Sequence, residues 1–403
     1  MSEQRAHVDD AQPSRNLREV FLVFLGLGLT SFGGPIAHLG YFERAFVARR
    51  GWLSAQQYAG IVALFQMMPG PTSSQVGMAI GKHRAGIAGS VVAWLGFTFP
   101  SALALGIFAF VVERMDDVSN AGWLHGLKLT AVAIVAQAVW SMWRNLAPDR
   151  DRSVIAVVAA IVILLWVTVA SQLLVLAAGG VIGFFYLTRT VQPDSGAVAA
   201  NVGSRQSHRF AALSLGVFAV LFGLLPLLNR WTDGPLVALA DLFYRAGSLV
   251  FGGGHAVLPL LQAELVPDFV TNDQFLAGYG AAQAVPGPLF TFSTYIGATS
   301  DGVAGAFVAT IAIFLPSFLL VWGIMPFWER IGRRPELKGA LLGINAAVVG
   351  VLVAALYDPI FTTAVHDRQD AAAALGLFGL LQFLKAPPWV VVIVAIGIGL
   401  VFW

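Results

Sequence analysis

Long apolar runs separated by short polar segments occupy nearly the whole chain. In the first half they cover about 18–40, 55–81, 86–112, 122–143, 153–169 and 171–188. In the second half they cover about 236–262, 272–298, 303–325, 338–357, 372–385 and 387–403, and one further run, about 210–228, lies between the halves. A bilayer-spanning helix needs about 20 apolar residues. The pattern therefore predicts an all-α polytopic membrane protein, with about 13 membrane segments if every run spans. Residues 1–17 are polar and lack the basic, apolar, small-residue order of a cleaved leader, so a cytoplasmic tail is expected there. Residues 190–209 are rich in Ser, Gly and Gln and read as a polar linker. The expected organisation is a tail (1–17), a first repeat (18–189), the linker (190–209), an extra helix (210–228) and a second repeat (236–403).

The two repeats are one sequence written twice. Gln66-Met67-Met68-Pro69-Gly70-Pro71 recurs as Gln283-Ala284-Val285-Pro286-Gly287-Pro288, and Phe32-Gly33-Gly34 as Phe251-Gly252-Gly253. Ser54 with Gln57 matches Thr271 with Gln274, two Ser/Thr-x-x-Gln capping boxes that each open a helix. Ile80-Gly81 followed by Gly86, Ala88 and Gly89 matches Ile296-Gly297 followed by Gly302, Ala304 and Gly305, and Phe99-Pro100-Ser101 matches Leu315-Pro316-Ser317. The offset stays near 216 to 219 residues, a register that chance similarity of apolar runs would not keep.

Loop charges suggest that the copies are inverted, because cytoplasmic loops favour Lys and Arg. Lys82-His83-Arg84 is basic while its counterpart Ala298-Thr299-Ser300-Asp301 is not. The acidic loop with Glu113, Arg114, Asp116 and Asp117 has a counterpart with Arg330, Arg333, Arg334 and Lys338 against Glu329 and Glu336. This puts the N-terminus in the cytoplasm and the C-terminus outside. Loop 41–53 (Arg44, Arg49, Arg50) and its acidic counterpart (Glu264, Asp268, Asp273) conflict with full spanning of the first run. They fit if runs 18–40 and 55–81 are re-entrant hairpins bent at Phe-Gly-Gly and Pro-Gly-Pro. Sequence leaves both arrangements open.

Composition agrees with a membrane protein: 57% hydrophobic, 11% charged, mean hydropathy +0.76, against roughly 25% charged residues in soluble domains. There is no cysteine, which excludes disulfides, thiolate metal sites and cysteine nucleophiles. A net charge of +2 gives no reason to expect nucleic acid. No metalloprotease, serine-hydrolase or phosphate-loop motif occurs, so neither an enzyme nor an ATP-driven pump is expected, and no cofactor or metal is called for.

The candidate chemistry lies at the breaks. Two prolines around a glycine interrupt any helix. Broken backbone at membrane depth is tolerated where it is buried in protein or lines a cavity. Matched breaks in two halves point to a transporter's binding site. After Pro71, Thr72, Ser73 and Ser74 suit the start of a half-helix, whose free N–H groups attract anions. Thr291 holds the corresponding place after Pro288. A kinked structural helix with serines bonded back to carbonyls is the plainer alternative. Gln66 and Gln283 could bond an oxyanion or support the broken backbone. Phe32, Gly33 and Gly34, with Phe251, Gly252, Gly253 and Gly254, could form a second pair of donors or serve close packing. His38, His255, Lys128 and Arg245 are ionisable within apolar runs, and Glu43 and Glu264 lie near run ends. They are candidates for charge balance or proton carriage. Gly179-x-x-x-Gly183 and Gly339-x-x-x-Gly343 are helix-packing spacings.

Taken together, Ser31-Phe32-Gly33-Gly34-Pro35 with Ala37-His38, Phe251-Gly252-Gly253-Gly254-His255 with Leu258-Pro259, and the two Gln-x-x-Pro-Gly-Pro segments make the chain resemble the chromate ion transporter family of bacteria, in its long two-domain form. The resemblance covers nearly everything outside the tail and linker. It implies a multi-pass inner-membrane carrier that exports chromate, confers resistance, takes sulfate as a competing analogue and has two homologous halves of opposite orientation. Lipid surrounds such a carrier. A homodimer is an open arrangement, since both halves of a site already lie in one chain. A carrier of sulfate or another divalent oxyanion is the rival reading, and a non-transporting scaffold or intramembrane enzyme is a remoter one.

Overall fold

A computed structural model describes residues 16–114, 122–166, 168–190, 207–250, 257–327 and 334–403. These residues are helical, and no strand occurs among them. The main helices are α1 (Leu17–Thr30), α2 (Gly34–Phe42), α3 (Ala55–Gln66), α4 (Thr72–Glu113), α5 (Gly122–Leu146), α6 (Arg150–Leu165), α7 (Val169–Phe185) and α8 (His208–Trp231). They continue with α9 (Pro235–Leu249), α10 (Val257–Leu265), α11 (Asn272–Ala284), α12 (Phe292–Ile324), α13 (Pro335–Ala355), α14 (Arg368–Gln382) and α15 (Pro388–Phe402). Five described segments are long and apolar enough to cross a bilayer: Thr72–Glu113, Gly122–Leu146, His208–Trp231, Leu289–Phe327 and Pro335–Ala364. The chain is a helical membrane protein.

The first two apolar runs fold as hairpins. After α1 the chain turns at Gly33 (φ 100°) and Gly34 (φ 76°), left-handed conformations that only glycine enters freely, and Pro35 stands in the first turn of α2. The Arg84 Nη2 donates to Glu19 Oε2 of α1 at 3.3 Å. The same guanidinium lies 5.0 Å from the centre of the Trp52 ring, beyond the π-helical turn that continues α2. Segment 17–52 therefore leaves and returns at one level, marked by Arg84. The next hairpin starts at Ser54, turns at Pro-Gly-Pro and returns down α4 to Arg84 itself. The path from Leu17 to Arg84 is thus two successive hairpins that share the level of Arg84.

Both capping boxes form. Ser54 Oγ accepts from the Gln57 N–H at 3.1 Å and Thr271 Oγ1 from the Gln274 N–H at 3.2 Å, while each glutamine Oε1 accepts from the cap's N–H at 2.9 Å. The expected loops at 82–86 and 298–302 are instead two-residue breaks inside α4 and α12. Ala85 (φ −140°, ψ 25°) and Gly86 (φ 68°, ψ −158°) have nearly the dihedrals of Asp301 (φ −148°, ψ 39°) and Gly302 (φ 57°, ψ −144°). The limbs flanking each break nearly touch. A Cβ on Gly81 would lie 2.6 Å from Ala93 Cβ, and one on Gly297 would lie 2.8 Å from Ala309 Cβ.

The halves interlock. The α6–α7 hairpin of the first half packs on α13 of the second, where Gly179 and Gly183 meet Gly343 and Gly339 in antiparallel register. The α14–α15 hairpin of the second half packs on α5 of the first. There Gly122 and Gly126 meet Gly399 and Ala395, and Gln137 Nε2 donates to the Leu381 carbonyl at 3.4 Å. The two small-residue motifs singled out in the sequence thus face each other. Helix α8 has no repeat partner and lies along α9 and α12, with the Tyr244 hydroxyl donating to the Phe218 carbonyl at 3.0 Å.

Replacing Gly343 by Val forces side-chain atoms into the α7 backbone. Overpacking costs about 1–3 kcal/mol. We expect Gly343→Val to lower the thermal midpoint of the detergent-purified protein by several degrees, and Gly376→Val, at a position with no atom within 4 Å of a Cβ, to leave it unchanged.

Candidate binding site at the paired helix breaks

Each Pro-Gly-Pro turn rests on the other half of the chain. Gly70 (φ +114°) donates its N–H to the Val250 carbonyl at 2.7 Å, and Gly287 (φ +107°) donates its N–H to the Ser31 carbonyl at 3.0 Å. Ser31 and Val250 are repeat equivalents, each immediately preceding a Phe-Gly-Gly. The pairing recurs in side chains. A Cβ on Gly70 would lie 2.9 Å from Ser317 Oγ, and one on Gly287 would lie 2.8 Å from Ser101 Oγ. Ser101 and Ser317 are the repeat's Pro-Ser serines. Glycine is required twice over at both turns, for the positive φ and for the absent Cβ.

The start of α4 is polar and almost sealed. Gln75 donates its N–H to the Pro71 carbonyl at 2.9 Å and its Nε2 to the Pro69 carbonyl at 2.6 Å, bracing the turn from within. Thr72 Oγ1 donates to the Phe65 carbonyl at 3.4 Å. His38 is fully buried, with the Phe97 ring edge-on at 5.3 Å. Its Nε2 lies 3.2 Å from the Ser31 carbonyl and its Nδ1 3.3 Å from Ser73 Oγ. A carbonyl only accepts, so Nε2 carries the proton and Nδ1 of the neutral ring accepts from the Ser73 hydroxyl. The N–H groups of the first turn of α4 have no partner within the helix.

Around the two turns several buried polar atoms have no protein partner: Ser31 Oγ, Ser74 Oγ, Gln75 Oε1, Thr98 Oγ1, Gln283 Nε2, Ser293 Oγ and Ser317 Oγ. An unsatisfied buried group costs about 1–3 kcal/mol. These atoms lie on the segments that flank the two turns, which makes them the candidate ligand contacts.

The second half is drier. One 3-10 turn, Leu289–Thr291, precedes α12, and Thr291 Oγ1 donates to the Pro288 carbonyl at 2.7 Å. Thr291 therefore closes its own turn. Ser293, two residues on, has the free hydroxyl. The backbone amides of Gly70 and Gly287 are likewise committed to carbonyls, which leaves hydroxyls, the Gln283 amide and the first-turn amides of α4 as donors.

The other residues singled out in the sequence divide. Pro69, Pro71, Pro286 and Pro288 frame the turns, and Ser73 and Ser74 lie buried between them. Phe32 is half-buried, its ring 6.2 Å from that of Trp389. Gln66 ends α3 with its side chain exposed. Phe251, Gly252, Gly253, Gly254 and His255 lie outside the described residues. Arg245 and Lys128 already have counter-ions. Arg245 donates to Asp241 and to Glu264, both at 2.9 Å, and Lys128 donates to Asp273 at 3.1 Å. They are not spare charges for a bound dianion. Glu43 is exposed in the turn after α2. The site is thus lined by neutral groups. Sequence reading does not single out the unpartnered hydroxyls of Ser31, Thr98 and Ser317, and Ser101 donates back to the Thr98 carbonyl at 3.0 Å. The doubled Pro-Ser was visible in the repeat, but only folding brings each copy against the other half's glycine.

The family model described as chromate transporter matches the chain twice, over residues 18–184 and 237–400. The chain is 29% identical over 405 residues to a probable chromate transport protein of Synechococcus elongatus, an alignment covering 97% of each chain. It is 27% identical to the chromate transport protein of Pseudomonas aeruginosa, over 99% of this chain and 94% of that one. It is 26% identical to the chromate transport protein of Cupriavidus metallidurans, over 96% and 94%. No solved structure matches the chain.

Gly70→Ala or Gly287→Ala would set a Cβ against the serine across the turn, at a φ that alanine avoids. We expect either to cost about 1–3 kcal/mol and to lower the thermal midpoint, while Gly216→Ala, where nothing lies within 4 Å, stays at the wild-type value in the same assay.

Proposed function

The chain belongs to the chromate transporter family, and from that premise we propose that it exports chromate across the bacterial inner membrane as a secondary transporter with two inverted halves. Its relatives carry transporter names, in keeping with a carrier rather than an enzyme. The observation that carries the proposal is the cluster of neutral, unsatisfied donors at the paired breaks. Chromate is a tetrahedral dianion with four oxygens, each able to accept several hydrogen bonds. Ser31, Ser74, Ser293, Ser317 and Gln283 offer donors from several directions, and the N-terminal dipole of α4 favours negative charge.

Contacts and loop charges both support inversion. The first-half hairpins open toward Arg84. The bond from Lys128, near the start of α5, to Asp273, at the start of α11, supports an opposite opening for the second pair. On this path the crossings are the second limbs of α4 and α12 with α5, α6, α7, α8, α13, α14 and α15, nine in all. Arg44, Arg49, Arg50, Lys82, Arg84, Arg144, Arg150 and Arg152 then share the cytoplasmic side. Glu264, Asp268 and Asp273 face outward, and the conflict in loop charges disappears. The N-terminus is cytoplasmic and the C-terminus outside.

Export suits the membrane potential. One charge moved through 100 mV gains about 2.3 kcal/mol, and a dianion leaving a negative interior gains twice that. Resistance follows from lowering internal chromate. Sulfate has the same charge and shape, and neutral donors separate the two poorly, so sulfate competes.

The test is radiolabelled chromate flux into inside-out vesicles under an imposed inside-positive potential. Potential-dependent accumulation, suppressed by excess sulfate, is the expected result. Sulfate movement without chromate movement would reassign the substrate, and movement of neither would remove the transport reading. A hydrogen bond to a charged group contributes about 1.5–3 kcal/mol. Ser74→Ala or Ser317→Ala is therefore expected to raise the KM for chromate about tenfold or more, with normal membrane insertion.

A further inference from the structure

Lys82 lies on α4 about 10 Å from Gln75 at 1.5 Å per residue. The two are seven residues apart and so share one face of the helix. That face looks onto α12. Gln75 lies beside Ser317 across Gly70, and the Lys82 ammonium donates to the Val321 carbonyl at 3.4 Å, with the Met325 sulfur at 3.8 Å. Ser317, Val321 and Met325 are spaced by four, one stripe of α12 facing one stripe of α4. Lys82 is only 5% exposed, yet no carboxylate among the described residues bonds it. A carbonyl and a thioether leave a buried ammonium with most of its charge uncompensated, a costly arrangement unless an anion completes it. Arg84, Lys128 and Arg245 each have a carboxylate. The repeat supplies a contrast. At the matching position before the α12 break stands Ala298, which is buried and apolar.

We infer that Lys82 is an anion-capture residue at the cytoplasmic mouth of the pathway, binding the divalent oxyanion before it reaches the helix breaks. The inference rests on the transport reading for its substrate and goes beyond it in assigning a charged waypoint to one mouth only. Lys82 raises the local concentration of a dianion on the cytoplasmic side. The outer mouth, with Ala298 in its place, lacks this hold and releases the ion. The asymmetry gives the two mouths different affinities for the anion, and the membrane potential sets the direction of net movement.

The test is equilibrium binding of radiolabelled chromate to the purified full chain in detergent, with wild type, Lys82→Gln and Lys82→Arg compared at low and moderate salt. Lys82→Gln is expected to raise Kd about tenfold and to flatten its salt dependence. Lys82→Arg is expected to stay within about threefold of wild type. An unchanged Kd in Lys82→Gln overturns the proposal. So does equal loss of binding and of thermal stability in both variants, which would assign Lys82 to packing, and so does failure of wild type to bind either chromate or labelled sulfate. Vesicle flux of the wild type reports separately on export. Binding that depends on Lys82 without flux would sink the export reading while leaving the capture site in place.

Discussion

Broken backbone inside a membrane protein has to find hydrogen-bond partners, and here each break finds them in the opposite repeat. The amide of Gly70 is held by the Val250 carbonyl and that of Gly287 by the Ser31 carbonyl. Water is absent from the bilayer core, so an unpartnered amide there costs several kcal/mol. Neither half could keep its Pro-Gly-Pro turn at that depth alone. This reciprocal dependence explains why two copies reside in one chain and why the glycines face serines of the other copy. It also sets the two half-helix starts close together, the condition for one shared binding site.

The polarity of the molecule is arranged around that junction. Three cations are neutralised within the protein, Arg245 by Asp241 and Glu264, Lys128 by Asp273 and Arg84 by Glu19, while buried Lys82 has no such partner among the described residues. What remains at the breaks is a set of hydroxyls and amides without partners. Neutral donors suit a carrier, because a dianion clamped by fixed full charges would leave slowly. His38 ties the two structural motifs of the first half together, holding the Ser31 carbonyl with one nitrogen and the Ser73 hydroxyl with the other. It thereby links the Phe-Gly-Gly turn to the helix start.

Outside the site, small residues set the distances. Glycines 179, 183, 339 and 343 let α7 and α13 touch backbone to backbone, and Gly122, Gly126 and Gly399 do the same for α5 and α15. Lipid gives no hydrophobic drive for helices to associate, so close packing of small side chains takes its place. Exchange of the terminal hairpins between halves turns these contacts into a lock that keeps both repeats in register around the breaks.

The sequence by itself determined the helical membrane class, the doubling of the chain, the positions of the breaks and both capping boxes. These are local properties: apolar run length, the missing N–H of proline, and a serine or threonine three residues before a glutamine. The positive φ of Gly70 and Gly287 comes from the fold, since Pro-Gly-Pro can equally run extended. Only the tertiary structure decided that the first two runs turn back as hairpins, because that choice depends on Arg84 reaching both Glu19 and Trp52, residues 65 and 32 positions away. Only the tertiary structure decided which polar residues line the breaks. Ser101 and Ser317 sit in the middle of apolar helices, and nothing near them in sequence tells that the Ser101 hydroxyl bonds back to the Thr98 carbonyl while that of Ser317 stays without a partner. Their role arises from packing across the two halves, which no local pattern records. The same holds in reverse for Lys128, whose charge looks available along the chain and is cancelled by a carboxylate 145 residues distant, whereas Arg245 is held both by Asp241 four residues away and by Glu264.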